Sequence, residues 1–164
     1  MTPNPIVVLD TNKIIAAILR PGRVRRNLLS QPCTFITPPR AWEEVEEHIT
    51  EIARKKGVPA ERLARIMADI REETIIEAPP TEPYATVARR LAGDFDPDDW
   101  PFIALALQHG APIWTNDQEI IKHSLHRGIY KAVDTTGLEM LLQGKPWEQI
   151  IEYLKRKYTE IPRK

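Results

Sequence analysis

Ile6-Val7-Val8-Leu9-Asp10-Thr11-Asn12 decides how the rest of the chain is read. Four apolar residues, two of them valines and one an isoleucine, form a short continuous run. Such a run suits a strand buried on both faces, as in a parallel sheet. It stops at three residues that commonly cap helices, and Lys13 to Leu19 then reads as a helix ended by Pro21-Gly22. A buried strand followed at once by a helix is the opening of a βα unit.

The same alternation continues outward. Val24 to Leu29 reads as a short helix and Thr34 to Thr37 as a second strand, with Thr37-Pro38-Pro39 capping and starting the next helix. In that helix Trp42, Val45, Ile49 and Ile52 share one face, and Gly57 ends it. A helix from about Pro59 places Leu63, Ile66, Met67 and Ile70 on one side. Thr74 to Ile76 is a third strand and Glu82 to Leu91 a helix; an acidic turn, Asp94 to Asp99, precedes a helix from Pro101 to His109. Pro112 to Thr115 and Ile129 to Val133 are the last strands, separated by a helix that ends near Arg127. Helices over Thr136 to Leu142 and Trp147 to about Tyr158 follow. Short strands alternating with helices predict a three-layer α/β/α domain around a mainly parallel five-stranded sheet. Such sheets bind ligands beyond the carboxyl ends of their strands.

Two strands end in an aspartate. Asp10 follows Leu9, and Asp117 follows Ile113-Trp114-Thr115-Asn116. In a parallel sheet both carboxylates leave from the same edge. Asp96-Pro97-Asp98-Asp99 opens a helix whose small side, Ala104 and Ala106, can lie close to the sheet; Glu43, Glu44, Glu46 and Glu47 lie early in the helix after the second strand. Each group has an ordinary reading as a cap or a solvated face. Converging carboxylates repel one another, and a hard divalent cation with oxygen ligands, Mg²⁺ or Mn²⁺, relieves that repulsion. A metal-held water can attack a phosphodiester.

These segments resemble the PIN domain family. Val7-Val8-Leu9-Asp10-Thr11-Asn12 is similar to its opening strand and first acid. Asp96-Pro97-Asp98-Asp99 with Phe102-Ile103-Ala104-Leu105-Ala106-Leu107 is similar to its third-acid helix, and Trp114-Thr115-Asn116-Asp117 to its fourth strand. The resemblance runs from about residue 5 to 142. It implies a PIN domain over residues 1–145, with 146–164 an added amphipathic helix and basic tail in the same single domain. It implies Asp10, Glu44, Asp99 and Asp117 as the metal-binding and catalytic acids. Glu43 competes with Glu44, because the two prolines leave the register of that helix open, and Asp98 competes with Asp99. Asn12, Thr115 and Asp96 would support the acids through hydrogen bonds. The implied activity is a metal-dependent endoribonuclease, in RNA processing or as the toxin of a toxin–antitoxin pair. The implied partners are RNA, an antitoxin for toxin-type members, and a second copy in a homodimer. The alternatives are a PIN-like RNA-binding or scaffold module without catalysis, and a domain that takes phosphate on Asp10 with Lys122 or Lys131 as its lysine.

Composition bounds these readings. The chain has 164 residues, the length of one domain, and zero formal net charge, so positive charge for RNA must be local. Arg23, Arg25 and Arg26, just beyond the first helix, are the candidate phosphate contacts. Lys155, Arg156, Lys157, Arg163 and Lys164 make a second patch, read as a solvated tail. The single cysteine, Cys33, excludes an internal disulfide and a cysteine zinc cage. No apolar run is long enough for a membrane span, and the start lacks a signal-peptide pattern, so a cytoplasmic protein is expected.

Overall fold

The structure is a computed structural model and describes residues 4–159. β1 (Ile6–Leu9) leads into α1 (Thr11–Leu19) and α2 (Arg23–Ser30); β2 (Thr34–Thr37), α3 (Pro39–Lys56), α4 (Ala60–Glu73) and β3 (Ile75–Glu77) follow. α5 (Tyr84–Ala92), a 3-10 turn over Pro97–Asp99 and α6 (Trp100–His109) lead to β4 (Ile113–Trp114). α7 (Gln118–Arg127), β5 (Ala132–Val133), α8 (Thr135–Leu142) and α9 (Trp147–Tyr158) complete the described chain.

The five strands form one sheet in the order β3-β2-β1-β4-β5, and every neighbouring pair is parallel. β1 lies at the centre because its residues are apolar on both faces: Val7, Val8 and Leu9 are fully buried. β3 is an edge strand, and there Ile76 and Glu77 are exposed. Parallel neighbours need crossovers, and these run right-handed. The first crossovers place α1 to α4 together on one face, where α1 packs on α2, α3 and α4. Beyond β3 the chain passes to the far side of β1, and α5 and α6 cover the opposite face, with α6 on β1 and β4. The three-layer α/β/α arrangement therefore follows, and the strand order reverses between β1 and β4. That crevice is where an open α/β sheet binds its ligand. Leu9 pairs with Trp114 in register, so the next residues on each strand, Asp10 and Thr115, leave the sheet side by side.

Some boundaries differ from the expectation. α1 begins at Thr11 rather than Lys13, because the Asp10 backbone carbonyl already accepts the Lys13 and Ile14 N–H groups. Thr37 is the last residue of β2, not a cap: its hydroxyl donates to the Leu9 carbonyl at 2.9 Å and clamps the carboxyl end of β1. Thr74 ends α4 instead of starting β3, its N–H donating to the Ile70 carbonyl. β5 is two residues long, because Ile129 lies outside it, exposed. α9 buries Ile150 and Leu154 completely and packs on α7 and α8. Of the second basic patch, Arg163 and Lys164 lie outside the described residues. Among the described residues, no helix is long and apolar enough to cross a membrane.

Candidate active site

Asp10 is the N-cap residue of α1, yet its side chain makes no capping bond. It is 6% exposed, and its Oδ2 accepts the Thr115 hydroxyl at 2.5 Å. Burial raises its pKa above the usual carboxylate range, and the charges of Asp117 and Glu44 add to the rise, while the Thr115 hydrogen bond opposes it. The Thr115 hydroxyl also accepts the Asp117 N–H at 2.9 Å, so one side chain joins the ends of β1 and β4. The Asp117 Oδ1 caps α7, accepting the N–H groups of Glu119 and Ile120 at 2.9 and 3.4 Å.

Glu44 reaches the same edge from α3. It is half-buried, and its Oε2 accepts the Thr11 hydroxyl at 3.0 Å, whereas Glu43 is exposed. The guanidinium of Arg40 lies 3.4 Å from Glu44 Oε1 and 3.6 Å from Asp98 Oδ1, bridging two of the acidic segments. Asp99 ends the 3-10 turn. Its Oδ2 is buried and has no hydrogen-bond partner. Burial, then the charges of Asp96, Asp10, Asp117 and Glu44, push its pKa up to about 7. Asp98 points outward, with its side chain 76% exposed, and Asp96 accepts the Asp98 N–H at 3.0 Å to cap the turn.

The four acids implied by the resemblance therefore stand close enough for their charges to act on one another. As placed, no three acidic, histidine or cysteine side chains among the described residues are close enough together to hold an ion. Mutual repulsion of uncompensated carboxylates acts in that direction. The donors still suit a hard divalent cation. All are carboxylate oxygens, and one of them, Asp99 Oδ2, is buried with its hydrogen-bonding capacity unused.

Of the residues expected to support the acids, Thr115 bonds directly to Asp10 and Asp96 shapes the turn before Asp99. Asn12 is exposed; the hydroxyl on an acid from this segment is that of Thr11. The arginines divide. Arg23 pairs with Glu139 and also reaches Thr136. Arg25 donates to the carbonyls of Ala17 and Ile18 at 2.6 and 2.9 Å, at the carboxyl end of α1. Arg26 is exposed. Thr11, Lys13, Arg40 and Asn116 escaped the sequence reading. Lys13 had left a signal: it is a charge placed directly before an apolar run, Ile14 to Leu19, and it follows Asp10 by about one helical turn.

A family model for the PIN domain matches residues 8–143, from the second half of β1 through α8. The chain belongs to the PIN domain family. PIN domains are generally nucleases. The match ends before α9, so this PIN domain carries its last described helix beyond the family's extent. No curated protein matches the chain significantly. Among solved structures, it is similar to a chain of the VapBC2 complex from Rickettsia felis bound to a DNA fragment from their promoter. The two share 17% identity at a TM-score of 0.58, over 79% of this chain and 98% of the other. At that identity the likeness supports the PIN fold and nothing narrower.

Proposed function

We propose that this PIN domain is a divalent-metal-dependent endoribonuclease that hydrolyses RNA phosphodiester bonds at the carboxyl edge of β1 and β4. The observation that carries the reading is the buried, unbonded Oδ2 of Asp99 in the field of Asp10, Glu44 and Asp117. An unpaired buried carboxylate oxygen is costly unless a ligand meets it. Asp10, Glu44, Asp99 and Asp117 would hold Mg²⁺ or Mn²⁺. Bound there, the ion supplies an activated water and charge neutralisation at the phosphate.

The protein's own groups do the rest. Thr115 fixes the rotamer of Asp10, and Thr11 fixes that of Glu44. Asp99, whose pKa burial and the neighbouring acids push up to about 7, would be one of the oxygen ligands and would hold the cation as a carboxylate. Asp117 spends one oxygen on capping α7, and its charge acts on Asp10 and Asp99. Arg40 holds Glu44 toward the edge and sets a positive charge beside an incoming phosphate. Arg26 is the arginine of the first basic segment that we assign to the RNA backbone. The Rickettsia felis neighbour is part of a VapBC2 complex, and we take a partner protein that masks this edge as a setting consistent with the same chemistry.

The test is cleavage of a labelled mixed-sequence RNA with Mg²⁺ or Mn²⁺. Wild type should cut, and both a chelator and Asp10→Asn should lower the rate at least 100-fold. Cutting that survives Asp10→Asn would overturn the assignment. A folded, metal-loaded protein that cuts neither RNA nor DNA would favour the scaffold reading.

A further inference from the structure

The loop between β4 and α7 has two sides. Thr115 and Asp117 serve the acidic edge, while Asn116 between them opens on a separate cavity of about 250 Å³. Lys13, Arg23, Asp134, Thr135 and Lys157 also border it. Three of these side chains are cationic and one is a carboxylate.

The carboxylate is committed inward. Asp134 Oδ1 accepts the Gly137 N–H at 2.8 Å; Oδ2 accepts the hydroxyls of Tyr153 and Tyr158, each at 2.7 Å, and Lys157 Nζ at 3.1 Å. Arg23 is tied to Glu139. Lys13 is different. It is 2% exposed, and its Nζ donates to Asn116 Oδ1 at 2.7 Å and Thr135 Oγ1 at 3.0 Å, both neutral. Among the described residues no carboxylate pairs with it. Its hydrogen-bond partners are both neutral, and the carboxylates of Asp134 and Asp10 act on it only through space, so the buried ammonium still has a third N–H to give. The N-terminal end of α8, with its positive partial charge, borders the same space.

We propose that this cavity is an anion subsite that takes a phosphate of the RNA strand next to the one held at the acidic edge, so fixing the strand's register across the site. The proposal rests on the ribonuclease reading. Continuity identifies the anion: Lys13 lies one turn along α1 from Asp10, and Asn116 sits between Thr115 and Asp117. A strand with one phosphate at the acids passes this cavity next. An isolated small anion would need no such adjacency.

The experiment is binding of a fluorescein-labelled single-stranded RNA across a salt series. It is done in EDTA with the Asp10→Asn protein, so that nothing is cut. Lys157→Ala should weaken binding several-fold and flatten the slope of log K against log salt by about 0.7, one phosphate contact on a single strand. Thr136→Glu, which brings a carboxylate to the mouth of the cavity without touching the core, should weaken it at least as much. Arg156→Ala removes the same charge where the side chain pairs with Glu152 on the open face of α9, and should leave the slope unchanged. An unchanged slope in the first two variants, an equal change in all three, or no RNA binding at all overturns the subsite. Wild type that cuts RNA while the slopes stay equal removes the subsite alone; a slope that drops in a protein that cuts nothing removes the nuclease reading alone.

Discussion

A threonine hydroxyl has one proton to give, and Thr115 gives it to Asp10 while accepting the Asp117 N–H. The backbone N–H can only donate, so Thr115 is the acceptor in that bond and its own proton is free for Asp10. Asp10 is thereby held as an acceptor, the form in which a carboxylate binds a cation. Thr115→Val keeps the shape and loses both bonds. It should leave the circular dichroism spectrum unchanged and lower the cleavage rate about 10- to 100-fold, read as initial velocity at saturating Mn²⁺; full activity would reduce Thr115 to packing. At this scale the sequence was informative where a residue's place on a strand end was clear. Asp10 and Thr115 are of that kind. Glu44 was less legible, since Glu43 is its neighbour and only the rotation of α3 against the sheet exposes one and turns the other to Thr11. Thr11 and Arg40 were illegible, because their partners lie 33 and up to 58 residues away in the chain, and Lys13 showed only its charge beside an apolar run, its partners lying 103 and 122 residues away.

Elements divide the basic residues in a way composition does not. Arg25 sits on α2 but serves α1, its fork meeting two carbonyls of the last turn, where a helix leaves acceptors unpaired and carries negative partial charge. Arg25→Ala should cost about 1.5–3 kcal/mol of stability, the usual worth of hydrogen bonds to a charged group. A urea titration measures it, and the salt dependence of RNA binding should not move. A loss of RNA affinity without a loss of stability would return Arg25 to the nucleic acid. Strand and helix positions were largely legible, because period and punctuation are local: β1 and β2 have the expected bounds, and α9 ends at Tyr158 as expected. The errors fall at junctions. Thr37 resembles a cap in sequence, yet its hydroxyl finds the Leu9 carbonyl, a contact only sheet pairing creates.

For the whole molecule, the acidic edge is a burden that folding places on the metal-free protein. Asp99 titrates near 7 when folded, against an ordinary value of 3.8, and Asp10 is shifted in the same direction, each chiefly by burial. Between these values the folded state holds protons that the unfolded state has released. Their contribution is therefore complete below about pH 4 and is lost as pH rises through 7. Asp94, Asp134 and Glu139 are shifted the other way, so their contribution is lost at the acid end, outside this window. In EDTA the protein should melt at a lower temperature at pH 8 than at pH 5.5, with a difference in stability on the order of 2 kcal/mol after allowing for partial exposure. Asp99→Asn should remove most of that difference. A melting temperature that rises from pH 5.5 to 8 in the metal-free protein would contradict the assignment.

The position of β1, between β2 and β4, also has a consequence in time. The first acid is made at residue 10 and the last at 117, and Thr115 must reach Asp10 before the edge exists. A growing chain that has released β1, β2 and β3 carries acidic side chains but no β4 to gather them. Synthesis takes place on a ribosome, which is itself largely RNA. By closing its site with the fourth strand rather than the second, the proposed nuclease stays inert through most of its own birth.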